Sequence, residues 1–240
     1  MLESRSHQLL IVHHLGVVDY DVAWTLQKRL ATERIGGALQ HDTLLLLQHP
    51  PVITMGRSTK AASLQATPQQ LAASGILLRE VERGGDVTIH ELGQLVAYPI
   101  IDLKQHRKDL HWYLRQLEEA TICALADCGL DSGRQTGKTG VWREGRKLAS
   151  IGVHVRNWVT CHGVALNVEN DLSTFDHVVP CGIDDVVMST VARECAATGL
   201  PTPAFKTVGQ AFASCLAKLF KLHIAKAGDA HVAPPALVTH

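Results

Sequence analysis

The stretch GRKLASIGVHVRNWVTCHGVALNVENDLSTFDHVVPCGI, residues 145–183, holds two segments in which apolar residues alternate with polar or small ones. The first segment, residues 147–156, has an apolar face made of Ala149, Ile151, Val153 and Val155. This period of two is typical of a β-strand, and Lys147 falls on the same face. A lysine that continues an apolar face either extends its amine off the end of the sheet or is partly buried with a functional role.

The second segment predicts a strand with one apolar face and one face of small residues. The apolar face consists of His162, Val164, Leu166 and Val168. The other face consists of residues small enough to let a ligand approach the backbone, namely Gly163, Ala165 and Asn167. Cys181 follows between a proline and a glycine, and this constrained turn would aim its side chain outward from a rigid base.

Outside this stretch, strand and helix patterns alternate along the chain. Strand patterns occur at residues 9–13, 43–47, 76–81, 95–101 and 186–190. Helix patterns occur at residues 19–33, 67–74, 109–128, 191–198 and 207–222, while residues 129–140 resemble a polar loop. These patterns predict a single α/β (α+β) domain, residues 1–227, in which helices flank a mixed, largely antiparallel sheet. Residues 228–240 carry no pattern and are expected to form a flexible tail.

Composition excludes several classes of protein. The 240 residues contain 23 Lys plus Arg and 23 Asp plus Glu, so no global field favours nucleic acid. No apolar run approaches the ~20 residues that span a bilayer, and the first residues resemble a strand more than a signal peptide. Six cysteines without a CxxC pair indicate neither a disulfide framework nor a zinc site. We therefore expect a cytoplasmic protein in a reducing compartment.

Cys181 and Lys147 together suggest thiol chemistry. A thiolate is both a nucleophile and a leaving group, and its thioester keeps the free energy needed to form an amide. A nearby cation lowers the pKa of a thiol from ~8.5, and Lys147 could supply that charge. The alternative to this dyad is that neither residue is catalytic: Cys181 would be a buried cysteine on a turn, and Lys147 would only extend its amine to solvent. Cys161 is the rival nucleophile, whereas Cys128 and Cys215 lie on apolar helix faces and are expected to pack.

The chain resembles the octanoyltransferases of lipoate biosynthesis, the lipoyl(octanoyl) transferase family. The resemblance lies in five motifs that occur in the family's order: HPPVITMGR (49–57), RGGDVTIHELGQLVAYPI (83–100), TGVW (139–142), GRKLASIG (145–152) with HGVALNV (162–168), and PCGI (180–183). It implies the biotin/lipoyl protein ligase fold, a catalytic domain at residues 1–227, no cofactor and no metal. One departure is Leu92, which stands where the family has a proline before its Gly-Gln pair and could loosen the loop that holds His90.

The resemblance also implies a reaction and its partners. Cys181 would take the octanoyl group from octanoyl-acyl carrier protein as a thioester, with Lys147 as its partner in a dyad. It would then transfer the group to a lysine of lipoyl domains of 2-oxoacid dehydrogenases or of the glycine cleavage H protein. We expect a monomer that binds neither nucleic acid nor membrane.

Three segments are implied to line the acyl-substrate pocket. Their residues are Arg83, Gly84, Gly85, Asp86, Val87, Thr88, Ile89, His90, Ser150, Ile151, Gly152, Gly163, Val164 and Ala165. His162 is a possible proton relay, and His90 could act as a donor or relay near the thioester carbonyl. A basic rim around these motifs would suit acidic carrier and lipoyl domains, or it is ordinary solvated charge: Arg57, Lys60, Arg83, Arg143, Arg146 and Arg156.

Other readings remain open at this point. An ATP-dependent lipoate or biotin-protein ligase of the related fold would activate its acid with a nucleotide. A binding module would hold the acyl carrier without turnover. A cysteine thioesterase would pair Cys181 with His90 or His162 and use water as the acceptor.

Overall fold

The computed structural model describes residues 8–178 and 186–225, so Cys181 and the tail expected at residues 228–240 lie outside the described residues. The strands are β1 Leu9–Val17, β2 Asp42–Gln48, β3 Val52–Met55, β4 Leu77–Glu80, β5 Val87–His90, β6 Gln94–Ile100, β7 Gly133–Gln135, β8 Lys138–Arg143, β9 Arg146–Arg156, β10 Val159–Asn167 and β11 His223–Ile224. The α-helices are α1 Tyr20–Ile35, α2 Pro68–Ala73, α3 Leu110–Asp127, α4 Val191–Thr198 and α5 Phe205–Phe220. Of these helices, none is long and apolar enough to cross a membrane.

Eight strands form one sheet in the order β11–β1–β2–β6–β10–β9–β8–β7. Strand β1 pairs in parallel with β2 and β11, whereas the remaining neighbours in this sheet pair antiparallel. A small second sheet has the order β4–β3–β5. This topology confirms the prediction of an α/β (α+β) fold with a mixed, largely antiparallel sheet.

Helices cover both faces of the large sheet, which explains why its central strands are apolar throughout. One face packs against α3 and α5 around Tyr113 and Phe212, and the other packs against α1 around Leu26. Residues 44–47 of β2 alternate between these two cores, so the leucine run is buried on both sides. Strands β6 and β10 are likewise buried along their whole length. The edge formed by β9 and β8 is less covered, and the candidate site lies there.

Local sequence signals account for the helix and turn positions. Thr67 caps α2 through a reciprocal pair of hydrogen bonds with Gln70, and Pro68 occupies the first helical turn, as the sequence predicts. Glu144 and Gly145 have φ angles of +47° and +81°, which is the backbone of a tight hairpin turn, and they join β8 to β9. These two residues are therefore the turn of a β-hairpin.

Two predicted elements are wrong. Residues 133–135 within the predicted loop form β7, because they pair with β8 at the edge of the sheet. Residues 186–190 form no strand, and only Met188 makes an isolated parallel bridge, with Lys147. Both errors concern pairing with a partner strand, which determines whether a short segment becomes a strand more than its own composition does.

A disulfide joins Cys123 of α3 to Cys215 of α5, with Cα atoms 6.0 Å apart. The sequence indicated only packing for Cys215 and no disulfide, because helix packing brings together two residues that are 92 positions apart. Asp127 places a carboxylate oxygen within 4.8 Å of both sulfurs. Within residues 8–178 and 186–225, these three side chains are the one group with the spacing of a metal site.

Candidate active site

The β8–β9 hairpin places Lys147 in a buried position beside Trp142. The two residues face each other across the hairpin, next to a register shift between Val141 and Trp142. Only 3% of Lys147 is exposed, and its Nζ lies 5.4 Å from the centre of the Trp142 ring, within the range of a cation–π contact. The Lys147 side chain is thus buried, which excludes the reading of a lysine that merely reaches solvent.

The main chain of Lys147 also binds the segment that follows Cys181 in the sequence. The Lys147 N–H donates to the Val187 carbonyl at 2.8 Å, and the Ser189 N–H donates to the Lys147 carbonyl at 2.9 Å. Val186, five positions after Cys181, lines the same crevice as Lys147. The described chain therefore returns to Lys147 shortly after the cysteine, although Cys181 itself lies outside the described residues.

The Arg83–Gly85 turn lies across β9. The Gly84 N–H donates to the Val153 carbonyl at 2.9 Å. A Cβ on Gly152 would lie 3.1 Å from both Arg83 Cδ and the Gly84 carbonyl oxygen, so either the turn or the strand would have to move by a few tenths of an ångström. A glycine at this position thus favours the close approach of the turn to the strand.

Arg83 anchors this turn to the small sheet. Its Nη2 donates to the Thr54 carbonyl at 2.6 Å and to Thr54 Oγ1 at 2.9 Å, and the residue is only 4% exposed. An arginine used in this way holds the loop in place, so Arg83 does not belong to the basic rim that the sequence suggested.

A crevice of about 370 Å³ opens between this turn and the β8–β9 hairpin. Nine predicted site residues line it: Arg83, Gly84, Gly85, Asp86, Val87, Thr88, Lys147, Ser150 and Ile151. Residues that the site prediction omitted also line it, namely Ser58, Lys60, Gly137, Lys138, Thr139, Trp142 and Val186. The TGVW motif (139–142) could have indicated Thr139 and Trp142. Because residues 129–140 were predicted to be a loop, however, β8 was not expected to form a wall of the crevice.

A small inner cavity of about 10 Å³, roughly the size needed for one water molecule, adjoins the crevice. It shares Arg83, Thr88 and Ser150 with the crevice. Its remaining lining is His90, Tyr98, Gly152, His162, Gly163, Val164 and Ala165. The crevice and the cavity together therefore contain every predicted pocket residue except Ile89. Ile89 is 1% exposed and packs in the core of the small sheet, so it lines neither space.

His162 does not lie on the face predicted for it. Its φ of +59° interrupts the strand alternation, and its ring packs against Tyr98, 6.2 Å between centroids, instead of joining Val164 in the main core. Gly163 then allows β10 to approach β6, because a Cβ there would overlap the Ala97 carbonyl oxygen. A non-glycine residue in this backbone region is uncommon, and here it turns an imidazole towards the inner cavity.

The histidines around this cavity are neutral near pH 7. Burial lowers the pKa of His49 and of His162 to about 4, and lowers the pKa of His90 well below 6.5. His162 Nε2 lies 4.0 Å from Glu82 Oε1 and has no hydrogen-bond partner among the described residues. His90 and His162 therefore contribute polar but uncharged groups to the cavity wall.

Cys161, the rival nucleophile, is unsuited to that role. It is 7% exposed and packs in the core beneath α1, and burial raises the pKa of its thiol to about 12. A thiol that stays protonated at neutral pH is a poor nucleophile. Cys195 is fully buried in the main core, where burial also raises its thiol pKa.

Two arginines of the expected basic rim are already neutralised. Arg146 forms ion pairs with Glu194 and Glu144, at 2.7 Å and 2.9 Å, and Arg143 lies 3.4 Å from Glu194. Lys60 and Lys138, by contrast, line the crevice without an ion-pair partner among the residues the structure describes. Of the positive charges around the site, Lys60 and Lys138 are therefore the ones that lie directly at the crevice.

Comparison with known proteins agrees with this geometry. The family model described as "Lipoyl protein ligase A/B catalytic domain" matches residues 19–216. An octanoyltransferase from Chloroflexus aggregans is 49% identical over 188 residues, covering 77% of this chain and 85% of the relative. An octanoyltransferase from Thermosynechococcus vestitus is 44% identical over 211 residues, covering 88% and 90%.

The solved structure of lipoate-protein ligase A bound with ATP superposes with a TM-score of 0.69, covering 92% of this chain and 88% of that one. Because the identity is only 15%, this likeness concerns the fold, and it confirms the ligase-type fold that the motifs implied. The family match and the sequence identities to curated relatives identify the family, which the likeness of fold alone does not. The chain therefore belongs to the lipoyl protein ligase A/B catalytic domain family and, within it, to the octanoyltransferases.

Proposed function

We propose that this enzyme transfers an octanoyl group from octanoyl-acyl carrier protein to a lysine of a lipoyl domain through a thioester on Cys181. The Cys181 thiolate attacks the donor thioester, a new S–C bond forms, and the carrier thiol leaves with a proton from the Lys147 ammonium. The acceptor amine then attacks the new thioester, an N–C bond forms, and the Cys181 sulfur leaves. The amine proton returns to Lys147, so each cycle restores both groups.

The observation that carries this proposal is the buried side chain of Lys147 in a crevice that the chain after Cys181 also lines. At a site shielded from water, a cation attracts an anionic partner such as a thiolate more strongly than it would in bulk solvent. The Trp142 ring lies beside the Lys147 amine, with its centre 5.4 Å from Nζ. The crevice of about 370 Å³ offers space for the acyl group, and the inner cavity adds polar groups at its inner end.

The proposal is tested by incubating the protein with octanoyl-acyl carrier protein without ATP. We expect intact-mass spectrometry to detect one octanoyl group per chain, released by hydroxylamine and transferred to an added lipoyl domain. A strict need for ATP would support a ligase instead. Release as free octanoate would support a thioesterase, and stoichiometric binding without an adduct would support a binding module.

Lys60 and Lys138 further support acidic protein partners. They lie at the crevice, Lys60 after β3 and Lys138 at the start of β8, and their charges are not neutralised by described carboxylates. Lys138 Nζ lies 5.2 Å from the same Trp142 ring that Lys147 contacts. Lys138 is thus close to Lys147 and the proposed reaction centre, where the acceptor lysine would bring the surface of its own domain.

The double variant Lys60→Glu/Lys138→Glu should raise the KM for the lipoyl domain about tenfold at low ionic strength, because two attractive charges become repulsive. The difference should shrink at high salt. The matched control is Lys108→Glu/Lys206→Glu, which changes the net charge equally with two exposed lysines that do not line the crevice. Equal effects of the two double variants would show that only overall charge matters.

A further inference from the structure

Two buried amide side chains connect the inner cavity to the segment beside Lys147. Asn167 Nδ2 donates to the Ser189 carbonyl at 3.1 Å, and Gln94 Nε2 donates to Asn167 Oδ1 at 2.9 Å. Gln94 Oε1 in turn lies 2.9 Å from His90 Nδ1. Ser189 is the residue whose N–H donates to the Lys147 carbonyl. The chain of bonds therefore runs from His90 to the main chain of Lys147.

The direction of each bond in this chain is determined by carbonyl groups at two points. The Ser189 carbonyl can only accept, so the nitrogen of Asn167 must face it and the oxygen of Asn167 must face Gln94. The Ile89 carbonyl independently accepts from Gln94 Nε2 at 3.0 Å. Gln94 therefore presents its oxygen to His90, and His90 Nδ1 must carry the proton.

The environment keeps His90 in this single protonation state. The residue is 5% exposed, and burial lowers its pKa well below 6.5, so the ring is neutral at pH 7. With a proton on Nδ1, the other nitrogen of the neutral ring, Nε2, carries a lone pair and can only accept. His90 lines the inner cavity, so this acceptor is the ring nitrogen left for a group bound there.

We propose that Gln94 and Asn167 are positioning residues that hold His90 as its Nδ1–H tautomer, so that Nε2 accepts a hydrogen bond from an N–H or O–H group of the bound substrate. This differs from the reading of His90 as a donor to the thioester carbonyl. Leu92, which replaces the family's proline, is 53% exposed, and the contact between His90 and Gln94 is present on either side of it. The tautomer is a property of the free protein, and only its kinetic consequence rests on the proposed function.

The tautomer is measured directly by ¹⁵N NMR of the ring nitrogens of His90 at pH 7, without substrate. We expect Nδ1 to show the shift of a protonated nitrogen and Nε2 that of an unprotonated one. Gln94→Met removes the acceptor for Nδ1–H and should shift the proton towards Nε2. His49 is an internal control, because its Nδ1 donates to the Val18 carbonyl at 2.6 Å independently of Gln94, and its signals should not move.

Gln94→Glu is the conservative second variant, and it also gives a kinetic readout. A carboxylate beside Nδ1 should raise the pKa of His90, protonate Nε2 near neutral pH and remove the acceptor. The rate of octanoyl transfer should then fall about tenfold more at pH 6 than at pH 8, which is less than the roughly 10²- to 10⁴-fold of a full acid–base contribution because His90 would be only partly titrated between these pH values. A purely structural defect would lower the rate equally at both pH values.

A protonated Nε2 in the unaltered protein overturns the proposal outright, whatever the enzyme's activity. So does an unchanged His90 spectrum in both Gln94 variants. If the tautomer is as described but the protein forms no octanoyl adduct, the positioning inference stands and the proposed function fails. The two conclusions are thus separable by experiment.

Discussion

The Cys181→Ser protein is expected to form no hydroxylamine-labile octanoyl adduct and to lose at least about 10³-fold of its transfer rate, the scale seen when a catalytic nucleophile is removed. A serine hydroxyl is far less ionised than a thiol at pH 7, and its ester stores less free energy for amide formation. Intact-mass spectrometry after mixing with octanoyl-acyl carrier protein measures the adduct, and transfer to a lipoyl domain measures the rate.

Cys161→Ala is the matched control for that experiment. Cys161 is a buried core residue whose thiol pKa is about 12, so its loss should leave the adduct in place. Transfer at the unaltered rate by the Cys181→Ser protein would refute the thioester proposal. If the adduct disappears only in the Cys161→Ala protein, the nucleophile is Cys161 of β10 instead of Cys181.

The Lys147→Met protein is expected to form the adduct about 10- to 100-fold more slowly at pH 7. Methionine keeps a side chain of similar length against Trp142 and Gly140 but removes the ammonium that would stabilise the Cys181 thiolate. The thiol pKa should then return towards ~8.5, where only a few per cent is ionised at neutral pH. Rapid-quench measurement of adduct formation from pH 6 to 10 should show the loss shrinking as the pH rises above that value.

Lys147→Arg separates the two roles proposed for this lysine. An arginine keeps the positive charge but neither gives up nor takes up a proton near pH 7. A thiol can leave as its thiolate without a proton, whereas the attacking amine must lose one, so adduct formation should suffer less than transfer from the adduct to the acceptor amine. Equal slowing of both half-reactions in the arginine and methionine variants, without any pH dependence, would contradict the proposed dyad and would point to a steric role for Lys147.

Much of the site was predictable because its residues lie in short segments with strong local signals. The glycines of the Arg83–Gly85 turn and Gly152 were visible in the sequence, and the structure explains them by the close approach of the turn to β9. The placement of Lys147 on a strand followed from the alternation of apolar residues in 147–156. The crevice wall formed by β8 was missed, because the pairing of β7 with β8 depends on the sheet edge and not on the composition of residues 129–140.

The sequence by itself determined the fold class, the family and the pairing of Lys147 with Cys181 as a hypothesis, because periodicity, caps and ordered motifs express short-range geometry. Tertiary structure alone decided that His162 turns towards Tyr98, that Cys123 bonds to Cys215, and that Gln94 and Asn167 orient His90. Each of these depends on groups that are distant in the chain. Their contact, burial and hydrogen-bond direction are set by how strands and helices pack, which no local pattern records.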